Sequence, residues 1–302
     1  MDFESLKQSQ SSFDKITKAL EQSSEKPEIS GNSKNKYQDD RIWKPELDKT
    51  GNGYAVIRFL PATTGEEMPW QRVWSHAFQD KGGWYIENSL TTLNQKDPVS
   101  EENTRLWNTG VDSDKEIARK RKRKLSYYSN IYVVSDPKHP DNEGKVFLFK
   151  FGKKIFDKIT EAMKPEFEDE KPINPFDFWE GANFKLKIRK VDGYWNYDKS
   201  EFDSPNPIKD NDEAIEQIWE KQYALKPFLA PENFKSYDEL KSKLDKVLSG
   251  TRNTGTAEDV AIPPVTNVAP VKSETVDNNP MSDADEDSDE TLSYFSKLAE
   301  DE

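Results

Sequence analysis

The chain has 302 residues, 33% hydrophobic and 33% charged, with 18 prolines, 13 glycines, no cysteine and a formal net charge of -13. This composition leaves room for one core of ordinary size plus segments too polar to bury anything, and the lack of thiols excludes both a disulfide framework and a thiolate metal site. No stretch approaches the roughly 18 apolar residues of a membrane span, and the opening MDFESLKQSQ lacks a charged-then-apolar leader, so a soluble intracellular protein without a membrane partner is expected.

Residues 1–40 form the first predicted segment. Phe13, Ile16 and Leu20 share a face at i, i+3 and i+7 with Leu6 upstream, a short amphipathic helix. A helix of this length is marginal alone, so it needs a partner, either the core of its own chain or another molecule. From residue 41 to 250 the pattern is that of a folded core. GYAVIRFLPA is a strand introduced by the turn signal KTGNG, and QRVWSHAF with GGWYIENSL reads as a hairpin. SYYSNIYVVSD, GKVFLFKFG and NFKLKIRKVDGYWNYD add three strands, the last alternating apolar Phe184, Leu186 and Ile188 with cations. Helices follow over KKIFDKITEAM, over DEAIEQIWEKQYAL with Tyr223 in its stripe, and over SYDELKSKLDKVLSG, where Ser236 and Glu239 form a capping pattern and Gly250 ends the helix. Short, aromatic-rich, antiparallel strands without strand–helix alternation predict a mainly β fold, a small Greek-key barrel with added helices.

Residues 251–281, rich in Thr, Pro, Asn and Val without period, read as a flexible linker. Residues 282–302 carry nine acids against one lysine and so contribute -8 of the net charge. Among the acids Asp283, Asp285, Glu286, Asp287, Asp289 and Glu290 stand the apolar anchors Tyr294 and Phe295, the make-up of an interaction tail that docks on a basic groove.

Against that acidity, Arg119, Lys120, Arg121, Lys122, Arg123 and Lys124 form six consecutive cations, followed at once by Tyr127 and Tyr128. Such a run alone serves equally as a solvated face or a localisation signal. Beside it, however, the core region holds more rings than a small barrel buries, Trp70, Trp74, Trp84, Tyr85, Trp107, Phe149, Tyr194 and Tyr197 among them. Cations that meet phosphates and ring faces that stack unpaired bases, at about 1–3 kcal/mol each, together suit a single strand of nucleic acid rather than a duplex.

The blocks WKPELDKTGNGYAVIRFLP, RKLSYYSNIYVVSDP, NEGKVFLFKFGKKIFDKI and WEGANFKLKIRKVDGYWNYD occur in the order seen in, and resemble, the single-stranded DNA-binding, helix-destabilising proteins of T-even bacteriophages. The resemblance implies an oligonucleotide-binding (OB) barrel with an attached lobe, sequence-independent cooperative coating of single-stranded DNA in replication, recombination and repair, and no catalysis. It implies self-association along the strand, phage replication and recombination proteins as partners of the acidic tail, and the cytoplasm of the infected bacterial host as the site of action. It carries a DNA-contacting role onto Arg58, Tyr85, Trp107, Lys122, Arg123, Lys124, Tyr127, Phe149, Tyr194 and Tyr197, with Arg119, Lys120 and Arg121 joining them as part of the basic run.

Two features depart from the family. Its members hold zinc with one His and three Cys; here His76 remains while Ser89, Asp97 and Ser100 stand at the thiol positions. Without soft thiolates that set is a poor zinc site, so no metal and no cofactor is expected, and Leu90, Leu93, Val99, Leu106 and Trp107 are expected to hold the segment by packing. The family's basic N-terminal cluster is reduced to Lys7, Lys15 and Lys18 with acids between, so the chemistry of cooperativity differs. The competing reading is an acidic-tailed scaffold whose basic run docks protein or RNA. An enzyme fits worst: His139 lies in the turn-like DPKHPDN and no phosphate-cradling glycine loop or paired acid–base arrangement is present.

Overall fold

The computed structural model describes residues 39–250 apart from Glu168, Asp192 and Gly193; the expected N-terminal helix, linker and acidic tail lie outside the described residues. Within that region the strands are β1 (Ile42–Trp43), β2 (Gly53–Phe59), β3 (Trp70–Asp80), β4 (Gly83–Asn88), β5 (Lys124–Ser135), β6 (Val146–Phe151), β7 (Phe184–Val191), β8 (Tyr194–Asn196) and β9 (Glu201–Phe202). The helices are α1 (Pro98–Asn108), α2 (Asp112–Lys120), α3 (Lys153–Met163), α4 (Asp212–Glu220) and α5 (Tyr237–Ser249). None of the described helices is long and apolar enough to cross a membrane.

β5 organises the sheet. Its first half, Lys124 to Ser129, pairs antiparallel with β3, and its second half, Ile131 to Ser135, pairs antiparallel with β2. β6 lies along Tyr127 to Tyr132. Residues that pair with both neighbours require β6 on one edge of β5 and β2 and β3 in succession on the other. The strand path runs β1-β6-β5-β2-β7-β8, with the β3–β4 hairpin branching from β5 and β9 pairing with β7. This is a mainly β architecture with several helices, as the strand patterns predict.

Alternation explains which side is dry. Ala55, Ile57 and Phe59 of β2, Ile131 and Val133 of β5 and Phe184, Leu186 and Ile188 of β7 enter one core with Phe149, Phe151 and residues of α3. Phe59 is its hub, with the rings of Phe151, Phe176 and Phe184 at 5.5, 5.7 and 5.8 Å; each such buried ring contributes about 1.5–3 kcal/mol. The opposite face is covered where α4 sets Ile215 and Ile218 against Leu60, Tyr132 and Phe178.

A separate lobe closes around the β3–β4 hairpin. Phe78 and Tyr85 stack across the hairpin at 5.1 Å and pack on Leu90, Val99 and the α5 stripe Leu240, Leu244 and Val247. Ser236 and Glu239 form the capping box that starts α5, and Gly250 ends it at φ 70°, the left-handed conformation that favours glycine.

Three sequence expectations change. The last predicted strand is a hairpin, since Val191 pairs with Tyr194 and Arg189 with Asn196. α4 stops at Glu220 rather than running through Tyr223, because the buried Asn130 side chain donates to the Tyr223 carbonyl at 2.8 Å and accepts its N–H at 2.9 Å. α1 and α2 were not foreseen: the inward side of α1 carries Ser100, Asn103 and Thr104 among its apolar residues, so its hydrophobic period is broken.

Candidate nucleic-acid interface

The six cations do not form one continuous element. Arg119 and Lys120 close α2, Arg121 to Arg123 make the connection, and Lys124 opens β5. Cations at the end of α2 complement its unsatisfied carbonyls, while four of its nine residues are acids or serine that favour its start.

Every second member of the run lies over a ring. The Arg119 guanidinium is 5.3 Å from the Trp107 centroid, Arg121 5.6 Å from Phe78 and Arg123 4.1 Å from Trp74. Arginine suits this role because its planar, weakly hydrated cation stacks on aromatic faces. Arg121 is also paired with Asp80 at 2.6 Å. Burial pushes the Asp80 carboxyl up, yet the Lys81 amide and Arg121 outweigh it and hold the group below its ordinary value. Of the interleaved lysines, Lys120 is exposed and Lys122 and Lys124 are half-buried. The structure thus gathers Trp107 and residues 119–124 from α1, α2, β3 and β5 into one cationic, ring-backed turn.

Five residues expected at the interface are instead interior. Tyr127 stacks on Phe156 of α3 at 3.9 Å and on Phe151 at 5.6 Å, so both ring faces meet protein. Phe149 and Tyr197 belong to the main core and Tyr85 to the lobe core, with exposures of 2%, 3% and 1%. Arg58 has no exposed surface; its guanidinium donates to the carbonyl oxygens of Asn206 at 2.7 Å and Asp177 at 3.0 Å. Burial pulls its pKa down to about 10 against the opposing pull of Asp177. A ring sandwiched by neighbours offers no face to a base, and a guanidinium spent on buried carbonyls offers none to a phosphate.

Tyr194 is exposed, at 53%, but it lies on β8, three strands along the path from β5. Of the cations on β7, Lys185, Lys187 and Arg189 are matched with Asp203, Glu201 and Asp198, while Lys190 is exposed and lies over the Trp195 ring at 5.8 Å. Sequence reasoning passed over Trp74 and Tyr128 as site residues. Tyr128, next to buried Tyr127, points to the other face, where its ring stacks on Phe228 at 4.2 Å with the Lys150 ammonium 5.7 Å away. The signal for both was strand parity, legible only once the inward face of β3 and β5 is known.

The four positions that the resemblance assigns to zinc do converge, and all are buried. Asp97 caps α1: its Oδ1 accepts the N–H groups of Val99 at 3.0 Å and Ser100 at 3.1 Å. Its Oδ2 accepts the Ser89 hydroxyl at 2.9 Å and the Leu90 N–H at 3.1 Å. His76 sets Nε2 3.3 Å from Asp97 Oδ1 and Nδ1 2.9 Å from the Arg121 carbonyl oxygen, which also accepts from Asn103 at 3.1 Å. Burial pushes the Asp97 carboxyl up, but His76 and the hydrogen bonds from Ser100 and Ser89 more than offset it, leaving its pKa at about 2. A carboxylate offers about four acceptor positions, and protein donors occupy all of them here, so this set does not fit a zinc ion. Among the described residues no group of three His, Cys, Asp or Glu side chains gathers as a metal site elsewhere.

Residues 51–248 match the family model described as gp32 DNA binding protein like. The chain is 41% identical over 226 residues to the single-stranded DNA-binding protein of Enterobacteria phage T2, covering 72% of this chain and 74% of that protein. It is 40% identical over 240 residues to the protein of the same name from Enterobacteria phage T4, covering 77% and 78%. Over a shorter stretch of 90 residues it is 42% identical to the single-stranded DNA-binding protein of Enterobacteria phage RB70, which spans 28% of this chain.

Proposed function

Since the chain belongs to the gp32-like family of DNA-binding proteins, we propose that it binds single-stranded DNA without regard to sequence and coats it during phage replication, recombination and repair. One observation carries this reading: three arginines of a single basic turn rest on Trp107, Phe78 and Trp74, with lysines between them. Cations draw in the phosphates, and the half-buried Trp107 and Trp74 accept unstacked bases, a combination a duplex cannot use, while buried Phe78 seats Arg121. Arg119, Lys120, Lys122, Arg123, Lys124, Trp107 and Trp74 are the contacts proposed there, with Tyr194 a separate outlying ring. The protein acts by binding, not catalysis.

We read the sheet as an OB barrel, because one long strand paired by two successive neighbours on the same edge is how a curled antiparallel sheet turns a corner. Cooperative self-association along the strand, recruitment of replication and recombination proteins by residues 282–302, and action in the cytoplasm of the infected host complete the proposal. Titration with poly(dT) at several salt concentrations tests it. Intrinsic fluorescence should be quenched, and log affinity should fall linearly with log salt as phosphates are neutralised. Unaltered emission together with no co-migration in dilute buffer would refute the proposal.

A further inference from the structure

We propose that in this chain a hydrogen-bonded cluster centred on Asp97 does the structural work that zinc does in the family it resembles, closing the lobe without a metal. Its geometry is that of a crosslink. One carboxylate hydrogen-bonds Ser89 and the Leu90 amide at the 3-10 turn Leu90–Leu93 and the Val99 and Ser100 amides at the start of α1; His76 of β3 adds a 3.3 Å contact of Nε2 with Oδ1 that lacks hydrogen-bond geometry. His76 extends it to the Arg121 carbonyl, where Asn103 of α1 also bonds. Four segments, β3, the 3-10 turn with its N-cap Ser89, α1 and the connection at Arg121, separated by up to 45 residues, therefore meet at a site where every lone pair of the carboxylate has a donor.

Each substitution has its own logic. Asp supplies the negative charge that thiolates would have supplied, and from an N-cap position it also satisfies two orphan amides of α1. Ser89 turns a metal-binding sulfur position into a donor aimed at that charge. The imidazole, freed from metal coordination, spans the carboxylate and a backbone carbonyl. The side chains of Leu90 and Val99 pack in the lobe core and that of Leu106 with Ala118 and Trp107, while the crosslink itself runs through backbone amides and polar side chains. The expected packing of Leu90, Leu93, Val99, Leu106 and Trp107 is present, and the Asp97 cluster adds to it.

The test uses the full chain. Purified protein should contain far less than one zinc per chain, and its melting temperature should be unchanged by excess EDTA or by added zinc. Asp97→Asn, which keeps the size but replaces two acceptor positions with a donor, should lower the melting temperature by about 5 °C or more. The triple variant Ser89→Cys, Asp97→Cys, Ser100→Cys, refolded with Co(II), should gain a thiolate-to-metal absorption band and a metal-dependent melting temperature. Stoichiometric zinc whose removal lowers wild-type melting would overturn the proposal. So would an Asp97→Asn protein that melts with the wild type, or a folded triple variant that takes up no Co(II).

Discussion

Arg58 is enclosed where an exposed cation was expected, and the reason lies in its neighbours rather than in its strand. Alternation along β2 points it away from the core of Ile57 and Phe59, toward what would be solvent in a one-sided sheet. Here the backbone of Asp177 and Phe178 and that of Asn206 fold over it, and their carbonyls take up its donors. A buried guanidinium costs several kcal/mol in desolvation and is retained only when its donors are filled. Removing it takes away the donor to the Asp177 and Asn206 carbonyl oxygens, so Arg58→Met should destabilise the fold by about 2–4 kcal/mol in denaturant unfolding. Poly(dT) affinity per folded molecule should be unchanged. A normal melt with weakened binding would return Arg58 to the interface.

At the scale of elements, the hairpin and α5 meet at a backbone approach that only glycine permits. Gly82 in the β3–β4 turn donates its N–H to the Val247 carbonyl at 2.7 Å, and a Cβ there would stand 2.2 Å from the Lys246 carbonyl oxygen and 2.8 Å from Val247 Cα. Nearby, Lys235 and Lys243 converge on Glu87 of β4. Gly82→Ala should therefore cost about 1–3 kcal/mol and speed amide exchange in α5 relative to β5 and β6; uniform exchange across the molecule would contradict this account of the lobe. The α5 stripe, its capping box and its terminal glycine were legible in the sequence because local signals coincide with burial. So were the strands through Ala55, Ile131 and Phe149, whose apolar alternation matches the core. α1 was not legible, since its inward residues Ser100, Asn103 and Thr104 are polar and serve the Asp97 cluster and its surroundings. At the candidate site the cations were plain, but which of Tyr127 and Tyr128 faces outward depends on strand parity against a core that no single segment encodes.

Across the whole molecule the charge divides into a local positive turn and a negative end. Residues 282–302 carry -8 of the total -13, and the described fold ends at Gly250, which packs against Lys81 beside the Asp80–Arg121 pair. The 31 residues 251–281 separate the two, and a chain of that length behaving as a flexible coil would span about 30 Å. At 0.01 M salt the screening length is about 30 Å and at 0.1 M about 10 Å, so attraction between tail and turn operates across that span only in dilute salt. If the tail occupies the turn in dilute salt, a strand of DNA has to displace it to reach the same cations. Deleting residues 282–302 should therefore raise single-strand affinity severalfold at low ionic strength and steepen the fall of log affinity with log salt, with the two proteins converging as salt rises. Equal affinities of deleted and full-length protein in dilute buffer would show that the tail does not occupy the turn.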